Sequence, residues 1–168
     1  MKIVTFLSVA LLCAGVMTSC KKGDDVSAED KKKAEDFKTF VAAKKFQVKE
    51  YYSDKPIDYV EDDAEVKEET DLFNYVSVWI KDDWNQFDGT SGKVTVTQNN
   101  NKIETISAET FTRDFSVGAD TKGVYFKFLN YQYNPLDYRL VEFSGDSFLV
   151  YADWHSGAKV YTRFQVIP

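Results

Sequence analysis

Residues 147–167 read SFLVYADWHSGAKVYTRFQVI and carry the strongest fold signal of the chain. Apolar and polar residues alternate in both halves of this stretch, which is the pattern of a β-strand that buries one face. Between the halves, residues 154–157 read WHSG, a composition typical of a turn. The stretch therefore predicts two antiparallel strands, at residues 147–153 and 159–167, joined as a hairpin.

The same alternation extends back to Phe46. It predicts seven further strands, at residues 46–53, 72–81, 93–97, 102–106, 110–117, 124–130 and 138–144. Most connections are short and rich in Gly, Asn, Asp and Pro, so neighbouring strands should pair antiparallel as a meander. Such a set of strands must avoid exposed edges, either by closing a barrel or by packing as two sheets.

Alternate residues of a strand share one face, so parity predicts the apolar side of each strand. In the strand predicted at residues 72–81, this side holds Phe73, Tyr75 and Trp79. In the later strands it holds Val124, Phe126, Phe128, Phe148, Val150, Ala152, Val160, Phe164 and Val166. Because 43% of the residues are hydrophobic and 15% are aromatic, the chain can build a sizeable core.

Residues 27–45 predict a short amphipathic helix before the first strand. Ser27 can cap its amino terminus, and two acids follow in the first turn, where the helix dipole favours negative charge. Ala34, Phe37 and Val41 recur at helical spacing and form a narrow apolar stripe. We expect this stripe to pack on the β domain and the lysine-rich face to meet water. A helix lying on a membrane is the less favoured alternative.

Residues 1–19 are typical of an export signal, because Lys2 is their one charged residue and an apolar run follows it. The run is shorter than the roughly 20 residues that a membrane-spanning helix needs. Residues 16–20 read VMTSC and resemble the lipobox of bacterial lipoproteins, in particular those of Bacteroidetes, although Met17 is bulkier than the usual residue. The resemblance implies cleavage before Cys20, acylation of Cys20 and a lipidated tether over residues 20–26.

The resemblance also implies a location at the outer membrane. Residues 21–25 read KKGDD and resemble the acidic cluster that is associated with display on the outer face in Bacteroidetes lipoproteins, so the cell surface is favoured over the periplasmic face. The other cysteine, Cys13, lies within the predicted signal. The mature chain would then hold one acylated cysteine, which excludes a disulfide and a thiolate nucleophile.

Residues 138–168 resemble the closing meander of small lipocalin-like domains found in bacterial lipoproteins. The resemblance lies in YRL at residues 138–140, SFLVY at 147–151 and VYTRF at 160–164. It departs at the first strand, where FQV at residues 46–48 replaces the Gly-X-Trp of many lipocalins. It implies a mainly β fold, an antiparallel meander barrel over residues 46–168. An immunoglobulin-like β-sandwich is the alternative.

Acidic residues are dense between Asp58 and Asp71. They predict a solvated connection or a short surface helix, with a patch for a cation or a basic partner as the alternative. Residues 83–89 read DWNQFDG and faintly resemble a calcium loop. Phe87 stands at a ligand position and the terminal Glu is missing, so we predict a turn instead.

No catalytic residue, metal site or cofactor is predicted. His155 is the one histidine and lies in a predicted turn, which supports neither a catalytic triad nor a zinc site. The net charge of −6 without a basic stripe disfavours nucleic-acid binding, and a glycine-rich phosphate loop is absent from the sequence. We therefore expect a protein that is not an enzyme.

The aromatic residues are the remaining candidates for a binding site. Those that could line a barrel mouth or face a glycan are Trp79, Phe126, Tyr138, Phe148 and Trp154. The alternative is that they form the core. The strand arginines Arg113, Arg139 and Arg163 are expected to point outward, although one turned inward would meet an anionic ligand head group.

Two functions fit this sequence. The first is a lipid-anchored envelope protein that carries a small apolar ligand in a lipocalin-like cup, which requires a cavity of a few hundred Å³. The second is a structural or interaction lipoprotein with a filled barrel, which binds an envelope protein or a glycan through an exposed patch.

Overall fold

The computed structural model describes residues 25–61, 64–130 and 132–168, and only the backbone of residues 60, 61 and 64–66. The predicted signal peptide and Cys20, with most of the tether, lie outside these residues. The described part is mainly β. None of its helices is long and apolar enough to cross a membrane.

The described residues form two α-helices, one 3-10 turn and nine strands. The helices are α1 (Ala28–Val41) and α2 (Val78–Asp82), and the 3-10 turn is Phe73–Tyr75. The strands are β1 (Lys45–Glu61), β2 (Ala64–Asp71), β3 (Trp84–Asp88), β4 (Lys93–Thr97), β5 (Thr110–Asp120), β6 (Gly123–Leu129), β7 (Pro135–Ser144), β8 (Ser147–Asp153) and β9 (Lys159–Ile167).

All nine strands belong to one antiparallel sheet with ring-like hydrogen bonding. From β3 to β9 each strand pairs with the next, as in a meander. β1 joins the two ends of this series, because Phe46 pairs with Asn85 of β3 and also with Val166 of β9. The distal part of β1 continues past the ring and pairs with β2. The described strands are therefore not divided between two sheets.

Most of the predicted elements are confirmed. The strands predicted at residues 93–97, 147–153 and 159–167 have the predicted bounds, and those beginning at residues 46, 110, 124 and 138 are present with different ends. The predicted helix is α1, and the Ser27 hydroxyl accepts a hydrogen bond from the Asp30 amide at 2.9 Å. Local signals were sufficient for these elements because pairing and packing reinforce them.

The strand predicted at residues 72–81 is wrong. This segment forms the 3-10 turn and α2, so Phe73, Tyr75 and Trp79 do not share a strand face. The apolar residues of this segment fit both the two-residue period of a strand and the 3.6-residue period of a helix. Burial follows the helical spacing, because Leu72 and Val76 are buried, four residues apart, while Val78 is 60% exposed. Short apolar runs do not distinguish strand from helix by periodicity alone.

The strand predicted at residues 102–106 is also wrong. Residues 98–109 form a loop between β4 and β5, and the buried side chain of Gln98 supplies hydrogen bonds that a neighbouring strand would otherwise make. Its amide nitrogen donates to the carbonyl oxygens of Ile106 and Ala108, at 3.1 and 2.9 Å. Long-range contacts of a side chain leave no periodic signal in a sequence.

Two connections were predicted where strands exist. The acidic segment between Asp58 and Asp71 is neither a solvated connection nor a helix but a hairpin of β1 and β2, in which backbone pairing prevails over the charge of the side chains. Residues 84–88 form β3 rather than a turn. The turn begins at residue 89, directly after β3, and the Asp88 carboxylate accepts a hydrogen bond from the Thr90 amide at 2.9 Å.

Helix α1 packs against a phenylalanine core inside one end of the ring. Phe37 is 0% exposed, and its ring centroid lies 5.8 Å from that of Phe126, 5.4 Å from Phe143 and 5.1 Å from Phe148. These partners belong to three different strands, so one helical side chain ties β6, β7 and β8 together. Buried aromatic pairs of this kind add about 0.5–1.5 kcal/mol each beyond their area.

A smaller apolar cluster supports the hairpin of β1 and β2. Ile57, Tyr59 and Leu72 are buried against Ala158 and Val160. This contact fixes the projecting part of β1 to the start of β9. The outer strand β2 presents the exposed residues 67–71, which read KEETD, and their four charged side chains discourage pairing with a further strand.

Candidate functional site

A cavity of about 320 Å³ lies inside the ring, beyond the phenylalanine core. Most of its described lining is apolar: Val48, Val76, Trp79, Ile80, Val96, Ile103, Phe111, Phe128, Leu129, Leu136 and Phe164. The polar lining residues are Tyr51, Tyr59, Asp83, Asn85, Asn130, Tyr138 and Thr162. Protein interiors contain few voids larger than a water molecule, so a space of this size is a distinct feature of the fold.

The cavity begins where the core side chains end along the same strands. On β6, Phe126 is 0% exposed within the core, whereas Phe128, two residues further on the same face, lines the cavity. On β7, Leu140 is part of the core and Tyr138 lines the cavity. Along these two strands, depth therefore distinguishes packing positions from cavity positions, whereas Val48, Val96 and Phe164 belong to the core and also line the cavity.

Two segments outside the regular meander complete the cavity wall. The first is the 3-10 turn with α2, which contributes Trp79 and Ile80, and the second is the loop at residues 98–109, which contributes Ile103. They are held together at Asp82, whose carboxylate accepts hydrogen bonds from the backbone amides of Asn100 and Asn101 at 3.0 and 2.9 Å.

Asp83 is the carboxylic acid of the cavity wall. It follows α2 directly and is only 5% exposed. Its carboxylate oxygen Oδ1 is buried and has no hydrogen-bond partner among the described residues. Burial, and secondarily the neighbouring Asp82 carboxylate, raise the pKa of Asp83 to about 7.

Tyr138 provides a second polar group on the cavity wall. Burial raises the pKa of its phenol to about 12, although the nearby Thr162 side chain acts in the opposite direction. Its ring stacks on Phe128 with centroids 5.9 Å apart. The hydroxyl is therefore neutral at physiological pH and can donate or accept a hydrogen bond.

No protein-family model, curated protein or solved structure matches this chain.

The structure separates the five aromatic residues that the sequence singled out. Trp79 and Tyr138 both line the cavity. Phe126 and Phe148 are 0% exposed in the core, and Phe148 stacks on Phe164 at 4.7 Å. Trp154 packs on the smaller cluster, with its ring 6.1 Å from that of Tyr59. Two of the five are thus placed together, and the other three pack elsewhere.

The three strand arginines occupy different surroundings. Arg139 donates to Asp120 at 2.7 Å from a partly buried position, and Arg163 donates to Glu50 at 2.9 Å at the surface. Arg113 differs from the expectation, since it is only 8% exposed. Its guanidinium lies 4.1 Å from the ring centroid of Tyr133 and lines an open groove that shares Trp79 with the cavity.

His155 is exposed in the turn between β8 and β9, where the sequence predicted it. Within the described residues, no three His, Cys, Asp or Glu side chains are grouped so that they could hold a metal ion.

Sequence reasoning missed Asp83 as a cavity residue. It treated residues 83–89 as a possible calcium loop and then as a turn, because Asp is common in both. Residues 80–84 read IKDDW, so nothing in the local sequence distinguishes Asp83 from the adjacent Asp82. Only the tertiary structure places Asp83 on the cavity wall.

Proposed function

We propose that the protein is a lipid-anchored binding protein of the cell envelope, which carries a small, largely apolar ligand inside a lipocalin-like barrel. The observation that carries the proposal is the cavity of about 320 Å³. Ligand pockets typically have about 300–1,000 Å³ and apolar walls with a few polar groups, and this cavity has both properties. A filled barrel, which the interaction function would require, would lack such a space.

The pairing pattern supports a barrel rather than a sandwich. β1 pairs with β9 on one side and with β3 on the other, which joins the first and last strands of the meander. Closure of this kind removes free edges and leaves an interior whose lining residues alternate along each strand. Helix α1 fills one end through Phe37 and Val41, so a ligand would enter from the opposite end.

The anchor is proposed from the resemblance of residues 16–20 to a lipobox. Acylation of Cys20 would place the domain a few residues from the outer membrane, because α1 begins at Ala28. Each buried methylene contributes about 0.8 kcal/mol to membrane attachment, so two or three acyl chains give stable anchoring. We propose the outer membrane, with the cell surface favoured, as the location.

The test is chemical extraction of the protein purified from an envelope. Organic solvent would release a bound ligand but leave covalent acyl chains on the protein, and mass spectrometry would identify what is released. Ile103→Trp should block the cavity with a bulky side chain on the loop, whereas Val141→Trp changes a residue of β7 that is 37% exposed.

We expect a stoichiometric small molecule from the wild type and from Val141→Trp, and its loss from Ile103→Trp. Circular dichroism should show that both variants are folded. Identical extracts from the two variants, or a wild type that releases nothing, would contradict the proposal.

A further inference from the structure

The described cavity wall contains one carboxylic acid and no basic side chain. Among the described lining residues, Asp83 is the one carboxylic acid, and no lysine, arginine or histidine lines the cavity with it. The other titratable lining groups are the phenols of Tyr51, Tyr59 and Tyr138. A positive partner for Asp83 is therefore not supplied by the described part of the wall.

The hydrogen bonding of Asp83 is incomplete. Asp83 is only 5% exposed, and its oxygen Oδ1 has no hydrogen-bond partner among the described residues. A buried carboxylate oxygen without a donor is costly, and such groups in native proteins are usually paired. The described residues therefore leave this carboxylate short of a hydrogen-bond donor.

The charged side chains around Asp83 favour a cationic ligand next to it. Asp82, at the end of α2, adds a second negative charge. On the same helix, the Lys81 amine is directed away and donates to the Asn74 carbonyl at 3.0 Å. From β1, the Lys45 amine lies over the Trp84 ring at 4.4 Å. On the loop that packs over α2, Lys102 and Glu104 are exposed and line the neighbouring groove.

The rest of the wall suits an organic cation. Trp79, Phe111 and Phe128 surround the same space and would accommodate an apolar body. Aromatic faces also attract a positive charge through the negative face of the ring. A ligand with an apolar skeleton and one charged nitrogen would satisfy both the acid and the aromatic wall.

We propose that the ligand is a small hydrophobic amine whose protonated nitrogen pairs with the carboxylate of Asp83. This inference rests on the proposed function, because it concerns the ligand of the same cavity. Tyr138 and Thr162, on the strands β7 and β9, provide further polar contacts for the head group, and the aromatic wall holds the skeleton.

The proposal implies a defined pH dependence. The pKa of Asp83 is about 7, so the carboxyl group is mostly neutral in mildly acidic solution and charged above neutrality. A primary amine stays protonated throughout this range, since its pKa is near 10. Amine affinity should therefore rise as the pH increases through about 7 and level off above it.

The test compares three probes with one skeleton: 4-phenylbutylamine, 4-phenylbutanol and 4-phenylbutyrate. Their affinities for the full chain held in amphipol would be measured by isothermal titration calorimetry, in mildly acidic and mildly alkaline buffer. Asp83→Asn removes the charge while keeping the shape. Asp153→Asn removes one acid from the exposed end of β8 and is the matched control.

We expect the amine to bind the wild type and Asp153→Asn at least about tenfold more tightly than the alcohol in alkaline buffer, which is the strength of a charge-assisted hydrogen bond. Asp83→Asn should lose this preference and its pH dependence, yet bind the alcohol as before. Equal affinity for amine and alcohol, unchanged in Asp83→Asn, would overturn the inference and leave the proposed function standing. Preference for the carboxylate probe would also overturn it. Failure of all three probes to bind would contradict the proposed function as well.

Discussion

The side-chain oxygen of Gln98 accepts a hydrogen bond from the backbone amide of Ile103 at 2.6 Å. Gln98 is 1% exposed, and its amide nitrogen donates to two further backbone carbonyls of the same loop. One buried side chain thus organises the loop at residues 98–109 and places Ile103 on the cavity wall. The shape of the cavity depends on this contact.

Gln98→Leu should lower the free energy of unfolding by about 2–4 kcal/mol, because it leaves several buried backbone groups without partners while keeping the side-chain volume. Urea denaturation would measure the change. The matched control is Gln165→Leu on β9, which removes one exposed hydrogen bond to Asp146 and should cost less than about 1 kcal/mol. Equal losses in the two variants would show that Gln98 does not organise the loop.

Asp83 should make stability depend on pH in a specific direction. Its pKa is about 7 in the folded protein and near 3.8 in the unfolded chain, so folding favours the neutral form. The contribution of Asp83 is therefore most favourable below about pH 4, is lost as the pH rises towards about 7, and is constant above that value.

The difference in unfolding free energy between Asp83→Asn and the wild type isolates this effect, because the other carboxylates titrate in both proteins. We expect Asp83→Asn to gain stability relative to the wild type between about pH 4 and about pH 7, by on the order of 4 kcal/mol. Chemical denaturation at a series of pH values would measure it. A difference that does not change with pH would contradict the raised pKa.

Phe37→Ala should destabilise the domain by about 3–5 kcal/mol, because it empties a fully buried ring position between three strands. The exposed Lys31→Ala on the same helix is the control and should change stability by less than about 0.5 kcal/mol. Thermal and urea unfolding would measure both variants. If Phe37→Ala matched the control, α1 would be an appendage rather than part of the core.

Cys20→Ser should abolish incorporation of radiolabelled palmitate and release the protein from the membrane fraction, because acylation requires the cysteine thiol. Cys13→Ser is the matched control, since this cysteine lies in the predicted signal and would be removed on processing. The measurement is labelling followed by fractionation in the expressing bacterium. Labelling that persists in Cys20→Ser would rule out this residue as the anchor.

Local sequence signals predicted the regular part of the fold. Strands at residues 147–153 and 159–167 followed from alternation with a turn between them, and α1 followed from the Ser27 cap and the spacing of Phe37 and Val41. These signals act between residues close in sequence, where backbone geometry and burial of one face favour the same element. The ring-like closure through β1 and β9 was expected from the need to remove free edges.

The cavity could not be predicted in this way. Its cover consists of residues 72–83 and 98–109, whose apolar runs predicted strands but whose conformation depends on long-range contacts such as those of Gln98 and Asp82. The distinction between Phe126 in the core and Phe128 on the cavity wall likewise depends on depth inside the ring. Alternation assigns both residues to one face of the strand. Their depth inside the ring is set by the pairing register and by the position of α1.

Asp83 acquires its raised pKa for the same reason. Burial is a property of the assembled ring and its cover, and the residues that produce it are distant along the chain.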